Sequence, residues 1–239
     1  MGQDSLTLPR TLIIMPVFNE SQSLSHTLEA TRAAAPFADI LVVDDGSLDG
    51  SSEVASRHDA KVVSHSVNMG IGAAVQTGFI YALRHGYQVA VQIDADGQHD
   101  PAYVRPLVEA LSENAVDIMI GSRYLNHAHE WKNSLYRTSG IRFFSWITTR
   151  CTAQKITDCT CGLRAVGIRA LRLFSKEYPV DFPDAEALIL AGRRGLKIAE
   201  LPVVARKRQN GNSKLTFYKS IYYPIKEFLS IFLLVSGRP

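Results

Sequence analysis

The chain has 239 residues, enough for one domain with a sizeable core, and its 46% apolar and 21% charged residues exclude a disordered or fibrous chain. The net charge of +3 hides a split: residues 1–120 carry 6 Lys and Arg against 15 Asp and Glu, while residues 121–239 carry 20 against 8. An acidic half of −9 joined to a basic half of +12 suggests partners containing phosphate, such as a nucleotide, a nucleic acid or an anionic lipid, with a cation managed by the acidic half.

Three cysteines (Cys151, Cys159, Cys161) exclude a disulfide framework, and Cys159-Thr160-Cys161 lacks the second pair that a zinc site needs. Thiols in a reducing compartment are expected. MGQDSLTLPR has no basic stretch followed by an apolar run, so no signal peptide is expected. No segment reaches the ~18 apolar residues that span a bilayer. The best, Ile221–Val235, is broken by Pro224, Lys226 and Glu227. A cytosolic protein resting on a membrane surface is the expectation.

Thr11–Val17 and Ile40–Val43 are short continuous apolar runs and read as buried parallel strands, ending in Asn19-Glu20 and Asp44-Asp45-Gly46-Ser47. Ser21–Ala35 between them is helical in pattern, with Ser21 or Ser23 as N-cap. A helix over Asp49–Arg57, a strand over Lys61–Ser64, a helix over Ile71–Arg84 and a strand over Gln88–Ile93 follow. Ala102–Ser112 then reads as helix and Asp117–Ile120 as strand. Strands alternating with helices predict a doubly wound α/β sheet, with ligands at the carboxyl ends of the strands. Asn19-Glu20, Asp44-Asp45 and Asp94/Asp96 all fall on that edge. Trp131–Arg150 mixes Trp131, Phe143, Phe144 and Trp146 with Lys132, Arg137, Arg142 and Arg150, the composition of an interfacial amphipathic helix or of a helix with a solvated basic face. Ala185–Arg194 reads as helix, Ile198–Val203 as strand and Phe217–Val235 as a second apolar helical segment.

The sharpest chemical signal is Asp94-Ala95-Asp96 at a strand end, followed by Gln98. Hard divalent cations take oxygen ligands, and Mg²⁺ is held by one or two carboxylates plus substrate phosphates. Asp44-Asp45-Gly46-Ser47 offers carboxylates to a base N–H or a ribose hydroxyl, or is a turn and helix cap. Asn68-Met69-Gly70-Ile71-Gly72 precedes a helix, either admitting a nucleotide or forming a tight turn. In the basic half stand Arg123, Arg137 and Arg206-Lys207-Arg208 leading into Gly211-Asn212-Ser213-Lys214. Arg matches phosphate oxygens in bidentate geometry, and a Gly/Asn/Ser loop can close over a ligand; solvated basic faces are the alternative. No RNA-binding signature accompanies these charges.

IIMPVFNE, VVDDGS, NMGIGAAVQTG, QIDADGQHDP, GSRYL, TDCTCGLRAV and RQNGNSKL occur together in order. With these motifs the chain resembles family 2 glycosyltransferases of GT-A fold, in the polyprenyl-phosphate (dolichol-phosphate mannosyltransferase-like) branch. The resemblance covers nearly all of residues 10–235. It implies a single GT-A domain, Rossmann-like with a mostly parallel sheet, whose residues 10–125 hold nucleotide sugar and metal and whose residues 126–239 hold the acceptor. Residues 131–150 and 217–235 would be amphipathic helices at the membrane interface. Pro16, Phe18, Glu20 and Asp45 match donor-nucleotide positions, with Asp45 on the base. Asp94, Asp96 and Gln98 match the site of Mg²⁺ or Mn²⁺ and the diphosphate. Arg123 and Arg137 match arginines that grip the acceptor phosphate, and Arg208, Ser213 and Lys214 match the loop that closes over the diphosphate. Cys161-Gly162-Leu163 departs from the Ser-Gly-Phe that is frequent in the family. Many relatives carry C-terminal transmembrane helices, and the likeness to short bacterial members implies a small membrane partner protein or a homo-oligomer.

The reaction so implied is an inverting transfer of a sugar from a nucleotide diphosphate, UDP by preference, to a polyprenyl phosphate at the inner face of the cell membrane. A phosphate monoester, with its second pKa near ~6, is already an ionised nucleophile at neutral pH. It needs positioning rather than a base. The rival acceptor is a saccharide hydroxyl, which does need a base, and Asp184 or Glu186 in PVDFPDAEAL would serve. A catalytically silent nucleotide-sugar scaffold is the third reading, and nucleic acid is not an expected partner.

Overall fold

The computed structural model describes residues 8–125, 135–181, 183–206, 226, 228–231 and 233. β1 (Thr11–Val17) and β4 (Val89–Gln92) are buried along their whole lengths, as continuous apolar runs are when both faces of a sheet are covered. Between them in sequence come α1 (Ser21–Ala34), β2 (Asp39–Asp44), α2 (Ser51–Arg57), β3 (Lys61–Ser64) and α3 (Ile71–Arg84). After β4, a 3₁₀ turn over Pro101–Tyr103 runs into α4 (Val104–Glu113), then β5 (Ile118–Ser122) and α5 (Leu135–Thr152). The described chain continues with β6 (Arg164–Gly167), α6 (Ile168–Phe174), α7 (Ala185–Arg193) and β7 (Ile198–Pro202).

The seven strands form one sheet in the order β3-β2-β1-β4-β6-β5-β7, shared by both halves of the chain. Six run in one direction; β6 alone is antiparallel, to β4 on one side and β5 on the other. The sheet is therefore mostly parallel, as expected. Val17, Asp44, Gln92, Ser122 and Pro202 end their strands on one edge. The register sets Arg164, the first residue of β6, opposite both Gln92 and Ile120. The loop entering β6 thus opens onto the edge that carries the strand-end carboxylates.

Sequence patterning assigns no element between Arg150 and Ala185, whereas the structure places β6 and α6 there. β6 opens on a buried arginine and ends on Gly167, and α6 follows it with no residue between, so neither stands out as a bounded apolar run. The capping expectation for α1 is also corrected. Ser21 and Ser23 lie inside the helix, and the N–H of Ser21 is taken instead by Asp49 Oδ2 at 2.9 Å. The Asn68–Gly72 segment is a packed turn. Met69 and Gly70 donate their N–H groups to Asp45, and Gly72 donates its own to the Val180 carbonyl at 3.2 Å. A Cβ at Gly72 would meet the carbonyl oxygens of Pro179 and Val180 well inside van der Waals contact.

The loop that enters β6 is pinned by buried charge. Glu200 on β7 accepts the N–H groups of Thr157 and Asp158 at 2.8 and 2.9 Å. Asp158, fully buried, receives Arg123 Nε at 2.7 Å and Nη2 at 2.9 Å. Burial alone would raise the Asp158 pKa, but the Arg123 guanidinium outweighs it and holds the carboxyl below its usual range.

Two stability outcomes follow from these contacts. Asp158→Asn strands the Arg123 cation and is expected to lower the unfolding free energy by about 3–5 kcal/mol in urea denaturation. Gly72→Ala, which pushes on backbone rather than on a flexible side chain, is expected to cost about 1–3 kcal/mol by the same measurement.

Candidate active site

At the edge formed by β1 and β2, two loops are laced together by hydrogen bonds. Asn19 donates its N–H to Ser47 Oγ at 2.9 Å and accepts from the Leu48 N–H at 2.9 Å, while Glu20 donates its N–H to Ser51 Oγ at 3.1 Å. Asn19 makes this turn at φ 54°, a left-handed conformation that Asn tolerates. Asp49 is the hub. Its burial would raise its pKa, but hydrogen bonds from Ser51 and Ser21 prevail and keep it low. Pro16 is buried in β1, Phe18 is exposed at the mouth of the edge, and Glu20 is half-buried with Oε2 accepting from Ser23. Asp45 is buried beneath these loops. Its oxygens accept from the N–H groups of Met69 and Gly70 at 2.9 and 2.8 Å and pair with His65 Nδ1 at 2.8 Å. The donor-side positions expected from sequence therefore gather on one edge, with Asp45 engaged in holding the adjoining turn.

The loop after β4 carries Asp94, Asp96 and Gln98. Asp96 Oδ1 accepts the Gln98 N–H at 3.0 Å, which closes the loop on itself. Asp94 Oδ1 is buried with no hydrogen-bond partner among the described residues. An orphaned carboxylate oxygen beside a second carboxylate and an amide is a donor set suited to a hard divalent cation. Among the described residues no group of three or more His, Cys, Asp or Glu is placed to hold a metal ion by itself. His99 and Gly162 adjoin Asp94. The segment following β7 also lands on this loop: the Arg206 N–H donates to the Gln98 carbonyl at 2.8 Å, and Arg206 Nη2 reaches Asp100 at 2.7 Å. Arg208, Ser213 and Lys214, expected from sequence to close over the diphosphate, lie outside the described residues.

Opposite stands Asp184, just before α7. Arg164 donates to the carbonyls of Cys161, Pro183 and Asp184 at 2.7, 3.2 and 3.2 Å and also to that of Cys159. It thereby ties the loop entering β6 to the Asp184 turn. The Asp184 side chain is 48% exposed. Desolvation still pushes its carboxyl up to about 6; Arg164 opposes the rise and the Asp94 charge adds to it. Glu186 belongs to a different environment. It hydrogen-bonds Ser230, its Oε1 is buried without a partner among the described residues, and burial raises its pKa.

Arg123 sits at the end of β5 with Nε and Nη2 committed to Asp158 and Nη2 also to Thr160 at 2.8 Å. Arg137 falls in the first turn of α5, and its side chain lies outside the described residues, as do residues 126–134. On α5, Arg142, Phe143, Trp146 and Arg150 are exposed. On the helical residues near the C-terminus, Phe228, Leu229 and Leu233 are exposed, whereas Ile231 joins the core. No helix among the described residues is long and apolar enough to cross a membrane. The Cys161 thiol, pushed up to about 12 by burial and by Asp158, is chemically quiet. Sequence reasoning missed His99, Gly162, Arg164 and Asp158. The available signals were a histidine three residues after Asp96 and an arginine inside an apolar run.

The model of the glycosyl transferase family 2 matches residues 12–174. An undecaprenyl-phosphate mannosyltransferase of Micrococcus luteus is 32% identical over 87% of this chain and 88% of its own length. A polyprenol monophosphomannose synthase of Mycolicibacterium smegmatis is 30% identical over 90% of this chain and 85% of its own. Among solved structures, glucosyl-3-phosphoglycerate synthase from Mycobacterium tuberculosis, in a complex with Mn²⁺, UDP and glucosyl-3-phosphoglycerate, superposes with a TM-score of 0.72 at 18% identity, over 97% of this chain and 81% of that one. The fold is thus that of the GT-A glycosyltransferases, and the chain belongs to glycosyl transferase family 2.

Proposed function

We propose that the protein transfers a sugar, with inversion, from a UDP-sugar to a polyprenyl phosphate at a membrane surface. The observation that carries this reading is the Asp94–Gln98 loop, on which the basic chain after β7 is anchored through Arg206. The names of the relatives from Micrococcus luteus and Mycolicibacterium smegmatis, similar over most of their length, support a lipid phosphate as acceptor. The GT-A neighbour that holds Mn²⁺ and UDP supports a fold able to seat that pair.

In this reading Asp94, Asp96 and Gln98 hold Mg²⁺ or Mn²⁺. The ion, when bound, neutralises charge growing on the leaving diphosphate. Pro16, Phe18 and Glu20 line the donor edge, and Asp45 fixes the Met69-Gly70 turn beside it. The cations of residues 206–214 would flank the diphosphate. Arg137 is assigned to the acceptor phosphate. Arg123, held on Asp158, serves that phosphate mainly by keeping the loop entering β6 in place. On α5 the exposed Phe143 and Trp146, interspersed with Arg142 and Arg150, would supply a face for anionic lipid, and Phe228, Leu229 and Leu233 are further exposed apolar side chains.

The hydroxyl-acceptor alternative has one candidate base left facing the site, Asp184, because Glu186 is engaged with Ser230. With a carboxyl near 6, Asp184 is charged at neutral pH and could accept a proton. An ionisable phosphate acceptor titrates near the same value, about 6. Asp184→Asn separates the two. If the phosphate is the nucleophile, the fall in kcat/KM below pH ~6 persists in the variant with most of the activity retained. Loss of that limb together with turnover would make Asp184 the base.

Incubation with membranes and a panel of labelled nucleotide sugars is expected to put label in the lipid phase from a UDP-sugar. Asp96→Ala should cut that transfer by about 10²–10³-fold without changing the melting temperature. Label from guanosine donors alone, or none in lipid from any donor, would overturn the assignment.

A further inference from the structure

Asp94 occupies a seat that the site as described does not account for. On one side is His99, buried, whose Nδ1 accepts the Asp94 N–H at 3.2 Å and lies 3.7 Å from Asp94 Oδ2. Accepting at Nδ1 leaves Nε2 as the ring nitrogen able to donate. On the other side is Gly162. A Cβ there would lie 3.0 Å from both carboxylate oxygens of Asp94 and 3.2 Å from His99 Cε1. The carboxylate therefore rests against bare backbone, with Oδ1 sealed from solvent and unpartnered among the described residues.

We propose that Gly162 and His99 are positioning residues that fix the Asp94 carboxylate for the cation, Gly162 through the absence of a side chain and His99 through its bond to the Asp94 backbone. The proposal rests on the reading of Asp94, Asp96 and Gln98 as the metal and diphosphate loop. The seat is rigid from the Gly162 side. Arg164 donates to the carbonyls of Cys161 and Cys159, and Glu200 and Asp158 hold the same loop farther upstream. A methyl group at 162 cannot be relieved by a shift of that loop, so the carboxylate must give. Mg²⁺ and ions like it demand near-ideal oxygen geometry, so even a small displacement of one ligand costs affinity. Because both oxygens are equally close to the added methyl, rotation of the carboxylate about its own axis offers no escape.

The test is calorimetric titration of Mn²⁺ into protein saturated with UDP, and in a parallel arm with GDP, for wild type, Gly162→Ala, His99→Ala and His99→Asn. Metal-free nucleotide binding and melting temperature are measured alongside. Gly162→Ala and His99→Ala are expected to weaken Mn²⁺ by about 10–100-fold while leaving metal-free nucleotide binding unchanged. His99→Asn, whose side-chain oxygen can accept the same N–H, is expected to recover most of the loss. Unchanged Mn²⁺ affinity in folded Gly162→Ala overturns the seat. An equal loss of metal-free nucleotide binding overturns it too, since that reports general damage to the edge. If Gly162→Ala does not fold, the His99→Ala and His99→Asn pair decides by the same criteria. Asp96→Ala is the control for the underlying reading. If it binds Mn²⁺ as wild type does, the metal loop and the seat fall together; if it loses Mn²⁺ while Gly162→Ala keeps it, the seat alone falls.

Discussion

The reversal of a single strand governs the rest of the site. With β6 antiparallel between β4 and β5, the loop before it arrives at the carboxyl edge of the parallel strands instead of leaving from the opposite edge. Gly162 then meets Asp94, and Arg164 stands across from Gln92 and reaches the Asp184 turn. A parallel strand in the same place would carry the Cys159–Leu163 loop to the far side of the sheet. The buried network of Glu200, Asp158 and Arg123 secures that arrangement, because a loop lying on charged neighbours holds its place only if its own polar groups are satisfied.

The acidic and basic halves of the chain meet at this edge, but much of the charge is spent within the protein. Asp45 is engaged by His65 and two backbone amides, Asp158 by Arg123, and Asp117 by Arg169 and the Lys197 N–H. Asp94 differs from these: its Oδ1 is buried with no hydrogen-bond partner among the described residues. On the basic side, the chain after Arg206 starts from the carbonyl of Gln98 itself. A count of charges by halves does not distinguish a cation that meets a ligand from one that braces a loop. Arg123 illustrates the difference.

How much of this was legible in the sequence follows from which forces leave a linear trace. β1, β2, β4 and α3 are continuous apolar or periodic runs, and their burial can be read directly from residue type. The strand-end positions of Asp45, Asp94 and Asp96 follow from those strands. The bonding of Asp45 does not, because its partners lie 20 to 25 residues away on another loop. β6 was invisible for a similar reason. Its stability comes from two neighbours far off in the chain, and Arg164 at its start reads as a surface residue until its carbonyl partners are known. The roles of Gly162 and His99 depend on a side chain that is absent and on a ring nitrogen that accepts from backbone, and neither leaves a pattern in residue type.

Two arginines, Arg164 buried and Arg123 partly so, show how geometry divides the same chemistry into different tasks. Arg123 meets Asp158 at 2.7 Å through two nitrogens, and the carboxylate is held low and serves only to fix a loop. Arg164 spends its donors on backbone carbonyls and stays 3.7 Å from Asp184 Oδ1, and that carboxyl stands near 6. The wider gap leaves the cation too weakly coupled to cancel the cost of burial, and the Asp94 charge adds to that cost. A fork-to-fork pair at this position would hold Asp184 ionised at every working pH and remove its response to charge on the opposite wall of the site. A cation bound beside Asp94 would offset the negative charge that Asp184 feels and would lower the Asp184 pKa. The backbone bonds of Arg164 fix that response as surely as they fix the loop.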